Sequence, residues 1–111
     1  MRFLKFIVEG QIVKQDPNCD FGGLVPGSEG YVQCSFIFSP EWRDCVKVAS
    51  FWSNMGKEYP PSLIKHDGTC EIPTEALARK TFKIKVIGKG PDGKKLETNK
   101  VTVCQNGGKN V

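Results

Sequence analysis

The segment Tyr31-Val32-Gln33-Cys34-Ser35-Phe36-Ile37-Phe38 alternates without a break. Val32, Cys34, Phe36 and Phe38 fall on one face of an extended chain, and Tyr31, Gln33, Ser35 and Ile37 fall on the other. An α-helix would scatter the four apolar side chains around its axis, so the segment reads as a strand with one buried face. A second segment repeats the pattern: Phe82, Ile84 and Val86 alternate with Lys83, Lys85 and Ile87, giving a half-buried strand whose outer face is largely basic. Further strands are expected at 3–13, 46–52, 58–64, 69–72, 95–98 and 101–105, about eight in all.

Turn residues punctuate these strands. Asp16-Pro17-Asn18, Val25-Pro26-Gly27, His66-Asp67-Gly68 and Gly90-Pro91-Asp92-Gly93 each carry a Pro or Gly able to set turn dihedrals, and the last should close a hairpin. Only residues 73–79 read as helical, a single short turn with Thr74 as N-cap and Glu75 near its positive end. The expected fold class is therefore all-β: a single antiparallel β-sandwich, Ig-like or jelly-roll-like, of about eight strands with one short helical turn. Residues 1–106 form that domain, and 107–111 form a flexible C-terminal tail.

The chain has 111 residues, which suits one domain and excludes a cofactor-binding fold with a separate substrate domain. No run of 18 apolar residues exists, so no membrane-spanning helix is expected. The start, Met1-Arg2-Phe3-Leu4-Lys5-Phe6-Ile7-Val8, is interrupted by Lys5 and closed by Glu9, too soon for a secretory leader, so synthesis in a cytoplasm is expected. Five cysteines at gaps of 15, 11, 25 and 34 residues suggest neither a disulfide framework nor a zinc knuckle, and they read as reduced thiols.

Candidate chemistry is sparse. His66 is the only histidine and lies in a turn; the carboxylates are scattered, with no close pair beyond Glu41 and Asp44 around Trp42. Gly22-Gly23 and Gly107-Gly108 lack the Lys and Ser/Thr partners of a phosphate loop. No catalytic residue, metal ligand or cofactor is assigned, and the expectation is a protein that is not an enzyme.

Charge is uneven. Residues 79–111 hold nine basic against two acidic residues, a net of +7, whereas the remainder carries seven basic and ten acidic, a net of −3. Lys83 and Lys85 on one strand face, with Lys94, Lys95 and Lys100 after the hairpin, form a candidate surface for an acidic protein or an anionic cell-wall polymer such as teichoic acid. Nucleic acid is disfavoured, because no aromatic residue follows Phe82 for base stacking. Among the aromatics, Trp42 is expected to pack at the end of the sandwich, while Trp52 and Tyr59 are candidates for a protein interface or a sugar-stacking platform.

Five stretches together carry a resemblance: Phe36-Ile37-Phe38-Ser39-Pro40-Glu41-Trp42, Val48-Ala49-Ser50-Phe51, Cys70-Glu71-Ile72-Pro73-Thr74-Glu75-Ala76-Leu77, Phe82-Lys83-Ile84-Lys85-Val86-Ile87-Gly88 and Thr98-Asn99. In order and spacing they resemble a small β-sandwich domain of tail-tip and baseplate proteins from bacteriophages that infect Gram-positive bacteria. The resemblance implies a virion structural part made in the host cytoplasm, partnered by other virion proteins or by copies of itself, and performing no reaction. Proteins of that group continue into a stem or receptor-binding region, whereas this sequence ends soon after the sandwich, so no receptor-binding head is expected of it.

Overall fold

In the computed structural model, which describes residues 1–105, the first apolar run folds back on itself. Gly10 takes a positive φ of 58°, accessible to glycine at little cost, and splits the expected 3–13 strand into β1 (Arg2–Glu9) and β2 (Ile12–Gln15), paired antiparallel. The strand around Phe36 is β3 (Val32–Phe38), followed by a 3-10 turn at Pro40–Trp42 and by β4 (Val46–Ser53). Next come β5 (Ser62–Leu63), β6 (Thr69–Glu71), the single-turn helix α1 (Thr74–Leu77), β7 (Thr81–Lys89), β8 (Lys95–Glu97) and β9 (Val101–Cys104). The fold is mostly β, in two sheets, with nine strands among the described residues where about eight were expected. The expected tail at 107–111 lies outside the described residues.

The first sheet has the order β2-β1-β3-β6; the second runs β5-β4-β7-β8, with β9 also on β7. The expectation of wholly antiparallel pairing fails at one place, since β1 and β3 run parallel in the register Arg2↔Val32 through Val8↔Phe38. The hairpin is the cause. β2 ends opposite Phe6, and just past it Asp16 N–H donates to Lys5 O at 2.9 Å, so the loop that follows crosses β1 near its start and launches β3 in the same direction. Arg2 fastens that loop by donating to Asp20 O at 2.9 Å and Gly22 O at 2.7 Å.

Two other expectations are corrected. Residues 58–64 do not form one strand, because Pro60 and Pro61 lack the N–H groups a ladder needs; an isolated bridge at Trp52↔Glu58 and the two-residue β5 remain. Pro73, not Thr74, occupies the cap position of α1; Thr74 is the first helical residue and its side chain makes no capping bond. The Gly90–Gly93 region does close a hairpin, with Gly90 N–H donating to Lys94 O at 2.7 Å.

The inner faces share one core. Leu4, Phe6, Val8, Cys34 and Phe36 come from the first sheet, and Ala49, Phe51, Phe82, Ile84, Val86 and Val103 from the second. Each buried phenylalanine contributes about 1.5–3 kcal/mol of transfer free energy. Trp42 seals one end as expected: it is fully buried, its indole N–H donates to Gly10 O at 2.7 Å, and its ring lies 5.5 Å from that of Phe38.

One lateral seam ties the sheets together. β8 and β9 share the same edge of β7, and between them Thr98 replaces a ladder carbonyl with its hydroxyl: Val86 N–H donates to Thr98 Oγ1 at 3.0 Å while Thr98 N–H donates to Val86 O. That kink turns Asn99 toward the first sheet, where its Oδ1 accepts from Val13 N–H at 2.7 Å and its N–H donates to Gln11 O at 3.1 Å.

Candidate functional site

Strand alternation sorts β4 into two sets. Ala49 and Phe51 point into the core, while Val48, Ser50 and Trp52 point outward, so Phe51 is the packed aromatic of the pair and Trp52 the surface one. Register then builds the outer face in rows. Leu63, Val48, Ile87 and Glu97 lie side by side; Trp52 adjoins Lys83 and Thr102; Ser50 adjoins Lys85; and Val46 adjoins Lys89 and Lys95. An apolar row therefore crosses a field of lysines.

The candidate cations are not equivalent. Lys83, Lys85 and Lys95 share this face, but Lys85 and Lys95 both grip Glu97, at 2.6 Å and 2.9 Å. Those two ammonium groups, hydrogen-bonded to the carboxylate, hold Glu97 down to about 2. Lys94 leaves the face altogether, its Nζ donating to Glu41 O at 3.1 Å beside the Trp42 end. Lys100, one of the lysines that follow the hairpin in sequence, stands 3.7 Å above the Trp52 ring.

That last contact shapes what Trp52 can do. Its upper face carries an ammonium group, and its buried indole N–H has no acceptor among the described residues. Tyr59 is only 4% exposed, because the Ser53–Lys57 turn, locked by two N–H groups donating to Ser53 Oγ, brings it back under the sheet end. Trp52 and Tyr59 therefore do not form one flat platform of the kind a sugar ring stacks on.

Tyr59 instead walls a concavity of about 410 Å³ at the end of β4. Lys57, Arg79 and Lys80 line it, and among the described residues no carboxylate does. Buried Gln105 pins the far wall, donating through Nε2 to Leu77 O at 2.9 Å and to Arg79 O at 2.8 Å. Sequence reading missed this grouping because Lys57 meets Arg79 and Lys80 only through the pairing of Ser53 with Phe82.

The outer face of the first sheet carries a second apolar group. Ile7 faces Ile37 across the parallel ladder, Ile12 sits diagonally from Ile7, and Phe3 lies on the same face two pleat repeats away, beyond Lys5. Ile37 is 65% exposed and Ile12 55%. On the second sheet, Val46 at 66% and Leu63 at 63% flank a groove of about 390 Å³ that also includes Ile64 and His66. Among the described residues, no three His, Cys, Asp or Glu side chains cluster as metal ligands would.

These features define a small two-sheet β protein with apolar rows on both outer faces and a basic tint on one. Comparison with family models, curated proteins and solved structures finds no match to the chain.

Proposed function

We propose that the chain is a non-enzymatic assembly module, a bacteriophage virion structural protein of the tail, baseplate, fibre or decoration kind. It docks its sheet faces against other virion proteins or copies of itself. The observation that carries the reading is the exposure of Ile12, Ile37, Val46 and Leu63 on the outer faces of both sheets. Contiguous apolar side chains on an otherwise charged surface are what a protein interface covers. An Ig-like or jelly-roll-like β-sandwich suits such a part, since its two broad faces allow symmetric repetition. The virion setting is drawn from the resemblance of the five sequence stretches.

Quantitative mass spectrometry of gradient-purified particles, set against the infected-cell lysate, tests this. A fixed copy number per particle is expected. Abundance in the lysate with none in particles overturns it and points to the alternative, a small phage-encoded inhibitor of a host defence protein, for which the cation-lined concavity offers an acidic partner a seat.

A further inference from the structure

We propose that Cys34 and Cys70 constitute a cross-strand disulfide site, placed to close into a covalent bond when the chain folds under oxidising conditions. The cysteine spacing in the sequence suggests no such pair; the β3–β6 ladder creates it. Cys34 stands opposite Cys70, flanked by Gln33↔Glu71 and Ser35↔Thr69. Both cysteines are fully buried, and both project to the core side of the sheet with Val32 and Phe36.

The register also sets the separation. Phe36 N–H donates to Gly68 O at 2.8 Å, two positions along the same ladder, which makes Cys34 and Cys70 a hydrogen-bonded pair. In such a pair the Cα atoms lie about 5.5 Å apart, inside the range of roughly 4.4–6.8 Å that a disulfide spans, and the Cβ atoms, also about 5.5 Å apart, draw in by about 1 Å to close the bond. No other cysteine has this relation in the described ladders: Cys104 faces Thr81, and Cys19 and Cys45 lie outside the strands. The bond would fasten β6, a three-residue edge strand, to the longest-range pairing of the first sheet.

The chemistry needs an oxidant, and a small-molecule disulfide such as oxidised glutathione supplies it. One thiolate attacks the glutathione disulfide and releases one glutathione thiolate; the second cysteine then attacks the mixed disulfide and releases the other. Two S–H bonds give way to one S–S bond, two electrons reduce the oxidant, and the two protons end on two glutathione thiols. Burial pushes the Cys34 thiol up, and its hydrogen bond with Cys70 pushes it further. A thiol so shielded exchanges slowly in the native protein, so the bond forms during folding and is protected afterwards.

The test compares folded and unfolded chains and needs no substitution at either position. The wild-type protein is unfolded in urea and then either refolded by dilution into glutathione redox buffer or held in the same buffer with urea, after which both samples are acid-quenched, alkylated and peptide-mapped. The equilibrium for the Cys34–Cys70 linkage should favour the bond on the order of 100-fold more in the folded chain than in urea, and the oxidised protein should melt roughly 10 °C higher. A linkage no more favoured in the folded chain than in urea overturns the proposal, as does a different pairing selected by folding. A Cys19→Ala/Cys104→Ala variant, altered only outside the pair, should keep the full shift; its loss would likewise refute the assignment.

Discussion

Gly88 and Trp42 show how one residue constrains the whole end of the molecule. A Cβ at position 88 would lie 2.7 Å from Trp42 Cζ3, so glycine there is a requirement of space. Gly88→Ala should displace the ring and cost about 1–3 kcal/mol, read as a lower urea midpoint; an unchanged midpoint would show that the ring can move aside freely. Glu97 sets a pH dependence. Its value of about 2 lies below the usual 4.5, so the folded state favours the carboxylate more than the unfolded chain does. The stability this contributes is fully present above pH 4.5 and is lost as pH falls toward about 2. Urea midpoints for wild type and Glu97→Gln should therefore differ near neutrality and converge through that window; parallel curves would contradict the pairing with Lys85 and Lys95.

At the scale of elements, the seam between β2 and the β8–β9 edge carries disproportionate weight, since Thr98 completes the β7 ladder and its neighbour Asn99 reaches across to the first sheet. Asn99→Ala leaves the part-buried Val13 N–H without its acceptor, and Thr98→Val does the same to buried Val86 N–H. Each should cost about 1–3 kcal/mol. Hydrogen exchange separates the two: protection should fall first at Val13 in the Asn99 variant and at Val86 in the Thr98 variant. Uniform loss across the molecule would mean that the seam has no local role. The strands themselves were legible for a simple reason. β3 and β7 are long and alternate strictly, so side-chain facing was a local matter, whereas the 3–13 run and the 58–64 run were misjudged at Gly10 and at Pro60-Pro61, where backbone chemistry overrides apolar pattern.

For the molecule as a whole, the two outer faces are the surfaces on which the proposed assembly rests. Ile37→Lys and Leu63→Lys replace exposed side chains and should leave the urea midpoint within about 0.5 kcal/mol of wild type. Incorporation into particles should nevertheless fall sharply for at least one of them. Normal incorporation of both would remove these faces from the proposed docking. If an acidic partner is instead held by Lys83, Lys89 and the concavity around Arg79, its affinity should drop steeply between about 0.05 and 0.5 M salt, because the screening length shrinks several-fold over that range. Titration at the two salt concentrations distinguishes the apolar mode from the basic one.

The sequence by itself determined the all-β class, the inward and outward sets along β3 and β7, the burial of Trp42 and the surplus of positive charge toward the end of the chain. All of these follow from properties of neighbouring residues: period-two alternation, turn dihedrals and composition. The tertiary structure alone decided that β1 and β3 run parallel, that Glu97 neutralises two of the candidate lysines, that Lys100 covers Trp52 while Tyr59 is buried, and that Cys34 meets Cys70. Each is a pairing between residues distant in the chain. Such a pairing depends on which strand edges meet and in what register, and alternation along a single strand carries no information about its neighbour.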